Sequence, residues 1–324
     1  MLQLETKTLP LTVPAMISLR RSLIIATTVL AASFASAALD TAKIDTLTGL
    51  KGTWNEAEKV HKVSQPRNDL PVSVDGWTMP PFMGLTTWAA FTEGRTSEVM
   101  VAGDLVLFED EVNPVMSAAL NSGLSVTALH NHFFFDQPRV YFLHIGGEGT
   151  VQQMASGVKA ALAKQKEIRA VQAQPAKAFG SAFAPSKNAI TGATVDSALG
   201  TKGQANNGMF KVVIGREVKM PCGCTMTKEM GVNTWASFAG TDDNAVVDGD
   251  FAVLEDELQP VLKSLRSSDI NIVAIHHHMT HEQPRMLFLH YWGRGSVKKL
   301  TSGLKNTLAA QKAVPPPAHD HSKK

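Results

Sequence analysis

The chain has 324 residues, 44% of them hydrophobic and 19% charged, which excludes a disordered chain and leaves room for two ordinary domains. The formal charge of +2 vanishes once a removable leader carrying Lys7, Arg20, Arg21 and Glu5 is discounted. A balanced chain argues against nucleic acid or an anionic membrane as the main partner.

That leader occupies residues 1–37. Arg20-Arg21 supplies a positive start, residues 23–32 form an apolar run too short to span a bilayer, and Ala35-Ser36-Ala37 is a small-residue cleavage site. Ala38 is then the first mature residue, and Met16 reads as an alternative start. No cysteine follows the apolar run, so no lipoprotein anchor is expected. No other stretch approaches about 18 uninterrupted apolar residues, so no integral membrane segment remains after signal removal. The expectation is an exported protein, periplasmic or secreted.

Downstream, residues 88–91 read as a short strand and 98–108 as a longer one. Asn113-Pro114 reads as a helix start, an N-cap followed by proline, and Gly123 as that helix's C-terminal glycine. Residues 125–132 form a strand, 133–138 a loop and 139–145 a second strand. Thr150 caps a helix running to about residue 167, with Val151, Met154, Val158 and Leu162 on one stripe. Gly103-Asp104 and Gly249-Asp250 read as turn residues.

The chain then repeats itself. Thr87-Trp88-Ala89-Ala90-Phe91 returns as Thr234-Trp235-Ala236-Ser237-Phe238, and Glu109-Asp110-Glu111 as Glu255-Asp256-Glu257. Residues 45–168 and 197–312 are two copies of one module. They are joined by a linker over 169–196 that is rich in Ala, Pro, Gly and Ser, and followed by a disordered tail over 313–324. The fold class expected is α+β: two tandem homologous modules, each a mostly antiparallel sheet with flanking helices. Near-equal modules also suggest an intramolecular pseudo-dimer.

The repeat is densest around histidine. His130-Asn131-His132, Gln137-Pro138-Arg139 and Phe142-Leu143-His144 recur as His276-His277-His278, Gln283-Pro284-Arg285 and Phe288-Leu289-His290. Packing alone accounts poorly for polar residues repeating in register. Residues i and i+2 on a strand share a face, which lets two imidazoles reach one ion. The metal ligands expected are therefore His130, His132 and His144, with His276, His278 and His290, holding a divalent ion, zinc above others. A tight hairpin pairing His132 with Arg139 would turn His144 to the opposite face; His144 can join only through a bulge, a longer loop or another strand order. His281 is a further donor in the second copy, where the first has Phe135. The second copy is the richer in ligands and the one expected to be occupied if only one is.

Glu109, Glu111, Glu255 and Glu257 are candidate bases or ligands, or else helix N-terminal charges. Arg139 and Arg285 either grip a substrate carboxylate or pair with those acids. Cys222 and Cys224, in Met220-Pro221-Cys222-Gly223-Cys224-Thr225-Met226, read first as two small buried residues. A strained disulfide and a soft copper site are the other readings.

Residues 103–116, together with 126–132 and 138–144, resemble the two hallmarks of the LppY/LpqO-type domain of unknown function (domain of unknown function 1259). The resemblance covers both modules; His277 departs from the usual Asn. It implies export and the module boundaries, and no settled activity. His-x-His followed by a third His is similar to the zinc pattern of acetolactate decarboxylase and related ester hydrolases, which implies a metal on a sheet with glutamate and arginine nearby. Three functions follow: a zinc-dependent hydrolase or decarboxylase of a small carboxylate-bearing substrate, a metal-handling protein without catalysis, or a ligand-binding envelope protein whose histidines are structural.

Overall fold

A computed structural model describes residues 38–180 and 185–315. The expected leader, and the tail from residue 316 with His319 and His321, lie outside the described residues.

The first half comprises helix α1 (Thr41–Thr48), strands β1 (Thr53–Asn55), β2 (Val60–Pro66), β3 (Val72–Val74), β4 (Trp77–Met79), β5 (Thr86–Glu93) and β6 (Val99–Phe108), helix α2 (Glu109–Asn121), strands β7 (Ser125–His130), β8 (Asp136–Gln137) and β9 (Val140–Gly149), and helix α3 (Val151–Val171). The second half repeats the plan: α4 (Gly192–Leu199), β10 (Gln204–Asn206), β11 (Met209–Gly215), β12 (Val218–Lys219), β13 (Thr225–Met226), β14 (Asn233–Gly240), β15 (Ala245–Leu254), α5 (Glu255–Ser267), β16 (Asn271–His276), β17 (Met286–Gly295) and α6 (Val297–Lys312). The α+β class and the antiparallel sheet are as the patterning predicts. The strands before Trp88 carry too little alternation to be read from sequence.

The long strands of both halves form one 12-stranded sheet in the order β1-β2-β5-β6-β9-β7-β16-β17-β15-β14-β11-β10. The halves meet at β7 and β16, which are antiparallel with Leu129 opposite Ile275. Each of these two strands carries a bulge, between Val126 and Ala128 and between Ile272 and Ala274. The bulge frees a backbone N–H and C=O, and the other half satisfies them. Gln259 accepts from Val126 N–H at 2.9 Å and donates to its C=O at 2.8 Å. Asn113 does the same for Ile272 at 2.7 and 3.0 Å. Two amide clamps, Asn113 buried and Gln259 half-buried, thus tie α2 to β16 and α5 to β7 across the seam.

This corrects the reading of Asn113-Pro114 as a helix start. Helix α2 begins at Glu109, because Glu111 accepts from Phe108 N–H at 2.9 Å and three acids in the first turn suit the helix N-terminus. Pro114 lies inside the helix. Asn113 is spent on the other half of the chain.

The helices cover one face of the sheet. Leu105, Leu107, Leu143 and Ile145 point into their core, joined by Val112, Met116, Met154 and Val158. The alternate residues of β6 and β9 point to the other face, where Val106, Phe108, Val140 and Phe142 lie under the small β4-β3-β8 sheet. Burying one face only on helices leaves the middle of the other open for polar side chains.

Gly103-Asp104 and Gly249-Asp250 do not form turns. They lie mid-strand in β6 and β15. The glycines are needed for close packing: a Cβ on Gly103 would come within 2.8 Å of the Trp88 carbonyl, and one on Gly249 within 2.1 Å of the Tyr291 ring. Cys222 and Cys224 are likewise not buried. Both are free and exposed at the tip of the β12-β13 hairpin. Met220 N–H donates to the Cys224 carbonyl and Gly223 takes φ +81°, so the chain reverses there and offers no sheet face to bury them.

Candidate metal centre

Strand register brings the histidines together. The connection from β7 to β9 runs over residues 131–139, long enough to include β8, and contains a cis Gln137–Pro138 bond. It pairs His130 with Phe142 and Ala128 with His144, not His132 with Arg139. That is a one-residue change of register, and it sends His144 to the face that holds His130. The second half matches it, with His276 opposite Phe288 and Ala274 opposite His290. On the neighbouring strands, Asp104 lies opposite His144 and Asp250 opposite His290. Each open face therefore carries three imidazoles and one buried carboxylate. The aspartates are the residues that sequence reading missed. Their apolar surroundings on a long strand were the available signal.

In the first half, the His130 ring lies 5.1 Å from those of His132 and His144. His132 follows the strand end and folds back flat on Phe142, with ring centres 3.4 Å apart. His144 Nε2 is 3.9 Å from Asp104 Oδ2. Burial first, and then the neighbouring His130, lowers the pKa of His132.

In the second half, His276 lies 5.1 Å from His278 and 5.0 Å from His290, and His278 stacks on Phe288 at 3.5 Å. Here the loop histidine is held as well. His278 Nδ1 is 3.1 Å from the Gly231 carbonyl, and His290 Nδ1 is 3.3 Å from that of Gly249. A carbonyl only accepts, so each ring presents an N–H from Nδ1 to it, which fixes the ring's orientation. His278 Nε2 then faces Asp250 Oδ2 at 3.6 Å.

Ligand atoms of Asp250, His276 and His278 all lie within 4.8 Å of one another, the one such group among the described residues. Tetrahedral bonds of about 2.0–2.2 Å set ligand atoms roughly 3.3–3.6 Å apart, so a shift of about an ångström would close the set. Two buried atoms in it, Asp250 Oδ1 and His276 Nε2, have no hydrogen-bond partner. Burial raises the Asp250 pKa against the pull of His290, His276 and His278, and burial lowers that of His276. Imidazoles beside a carboxylate oxygen short of partners make a donor set that fits a divalent transition metal.

A cleft of about 480 Å³ opens onto this group, lined by Lys211, Lys228, Asn233, Trp235, Asp250 and His278 among others. Lys211 Nζ sits 4.1 Å over the Trp235 ring.

The candidate glutamates and arginines fall elsewhere. Glu111 is fully buried, bound by Arg67 at 2.5 and 2.7 Å and by Arg169 at 2.8 Å. Glu257 bonds Arg216, Gln311 and the N–H of Leu254. Glu109 and Arg139 form an exposed pair at 3.7 Å, as do Glu255 and Arg285 at 3.4 Å. His277 and His281 are exposed on the loop after β16.

A family model described as Domain of Unknown Function (DUF1259) matches residues 42–164 and 193–310. No curated protein matches the chain. Among solved structures, a trimeric bacterial microcompartment shell protein, PduB, aligns at 9% identity and a TM-score of 0.22, covering 80% of this chain and 90% of that one. A double-ringed trimeric shell protein, MSM0271 from the RMM microcompartment, aligns at 13% identity and a TM-score of 0.17, covering 67% and 84%.

Proposed function

The chain belongs to the DUF1259 family in both of its halves, and from that premise we propose that it is an exported, divalent-metal-dependent enzyme acting on a small carboxylate-bearing substrate, with its metal in the second half. Asp250, His276 and His278 would hold the ion. The observation carrying this reading is the pair of buried, partnerless atoms, Asp250 Oδ1 and His276 Nε2, inside a group whose ligand atoms lie within 4.8 Å.

A bound divalent ion, zinc by preference, would polarise a substrate carbonyl or acidify a water. The remaining work falls to side chains on the cleft. Lys211, seated over the Trp235 ring, and Lys228, paired with Glu229, bring positive charge to the cleft for an anionic substrate. Glu257 is committed to Arg216, and Glu255 to Arg285. The proton-handling group in this reading is therefore His290, anchored through Nδ1 to the Gly249 carbonyl. Hydrolysis and decarboxylation both suit such a site. Export rests on the leader at residues 1–37, and the two halves act as one pseudo-dimer joined at β7 and β16.

The exposed cysteine hairpin favours a second reading, metal handling without catalysis. Elemental analysis of the mature, untagged protein tests the first requirement of both. One equivalent of metal, lost in His276→Ala and in Asp250→Asn, is expected. Absence of metal in the wild type, with no uptake on titration, would overturn both readings. Turnover of ester or 2-oxo/2-hydroxy acid substrates by the loaded protein, absent in His276→Ala, separates enzyme from carrier.

A further inference from the structure

The β12-β13 hairpin stands apart from the histidine group in donor chemistry. Its turn is closed by Met220 N–H to the Cys224 carbonyl at 2.9 Å and by Gly223 N–H to the Met220 carbonyl at 2.8 Å. Gly223, at φ +81°, makes the bend that puts the residues before and after it side by side. Cys224 N–H contacts Cys222 Sγ at 3.4 Å. Both sulfurs are free and exposed. The hairpin is tethered: Lys219 and Gln283 exchange two backbone hydrogen bonds of 2.8 Å, fixing it to the loop that follows His278. Met220 and Met226 flank the thiols and pack with Met279, Met286 and Phe288.

We propose that Cys222 and Cys224 form a second, separate site that binds copper(I). Two thiolates are too few for tetrahedral zinc. Among the described residues no further His, Cys, Asp or Glu completes a group of three with them. Two soft donors suffice for a soft monovalent ion that accepts linear coordination, and thioethers are the neighbours it tolerates best. Binding balances simply: two S–H bonds give up two protons, two Cu–S bonds form, and copper stays in the +1 state with no electron transferred. Exposure at a hairpin tip lets the ion enter and leave without opening the fold. The first half has Asp75-Gly76-Trp77 at the corresponding bend, so only the second half carries this site.

The test uses the full mature chain, reduced and kept under nitrogen, titrated with copper(I) against a colorimetric copper(I) chelator. The wild type should withdraw one equivalent and gain a thiolate-to-copper charge-transfer band in the near ultraviolet. Cys222→Ser/Cys224→Ser should bind at least 100-fold more weakly with an unchanged melting temperature, since both side chains are exposed. His276→Ala should bind copper(I) within twofold of wild type. No uptake by the reduced wild type, retention by the double serine variant, or loss in His276→Ala would each overturn the proposal. Zinc content of the same samples reports on the histidine group independently, so the two sites fail separately.

Discussion

The two open faces share a strand frame and differ at the rim. In both, the third histidine lies opposite an aspartate, the first faces a phenylalanine, and the loop histidine lies on that ring. In the second half, the Gly231 carbonyl holds His278 and aims its Nε2 at Asp250. In the first, no such bond holds His132 among the described residues, and His144 approaches Asp104 instead, at 3.9 Å. The loops of the first half carry exposed aromatics, Trp77, Phe82, Phe134 and Phe135. The corresponding positions of the second half hold Cys224, Glu229, Thr280 and His281. Duplication kept the backbone that positions the histidines, while the loops around them diverged.

The largest expected difference between the halves is in stability. Glu111 is buried between Arg67 and Arg169, whereas among the described residues Glu257 has Arg216 alone as its cationic partner. Removing one partner of a buried pair costs about 3–5 kcal/mol, so Glu111→Gln should fall in that range by urea denaturation and Glu257→Gln below it. Acid should act in the same direction. Although burial opposes it, bonding to Arg216, Leu254 N–H and Gln311 lowers the Glu257 pKa. Its contribution is therefore complete above the ordinary carboxylate range and is lost as pH falls through the depressed value. A pH series on Glu257→Gln, flatter in acid than the wild type, checks this.

Metal affinity comes next. His276→Ala should weaken binding by more than about 100-fold, exceeding the usual outer-sphere loss, while His130→Ala leaves the equivalent bound in the second half. Equal loss in both variants, read by elemental analysis, would erase the distinction between the faces.

The seam should respond symmetrically. Asn113→Ala and Gln259→Ala each strand a backbone N–H and C=O at a bulge, at about 1–3 kcal/mol. If only one destabilises, the halves do not depend on each other equally. Smallest is Asp250→Asn in the metal-free protein. Burial raises that carboxyl's pKa, so its charged form is a burden there, and the amide should raise stability by about 1 kcal/mol. Asp104→Asn is the control in the other half, and a drop in the melting temperature of Asp250→Asn would count against a site built for a cation.

Much was legible in the residues alone. Hydrophobic alternation marks β6 and β15, and Thr150 marks the start of α3, where its side chain accepts from Gln153 N–H. The repeated His-x-His locates both faces, because a strand's two-residue period places such pairs together whatever surrounds them. What the residues could not decide was pairing. Whether His144 joins His130 depends on a single step of register, set by a loop that gains its own strand partner in β3. Asp104 and Asp250 become ligand candidates only when β6 and β9, or β15 and β17, lie side by side. Glu111 and Glu257 leave the site because arginines more than forty positions earlier, by sequence number, come to rest on them. Local propensity is written in short windows of sequence and can be read there. Which strand lies beside which, in what register, is a long-range choice made by the whole sheet and its helices, and it alone decided which buried charges were left without a partner.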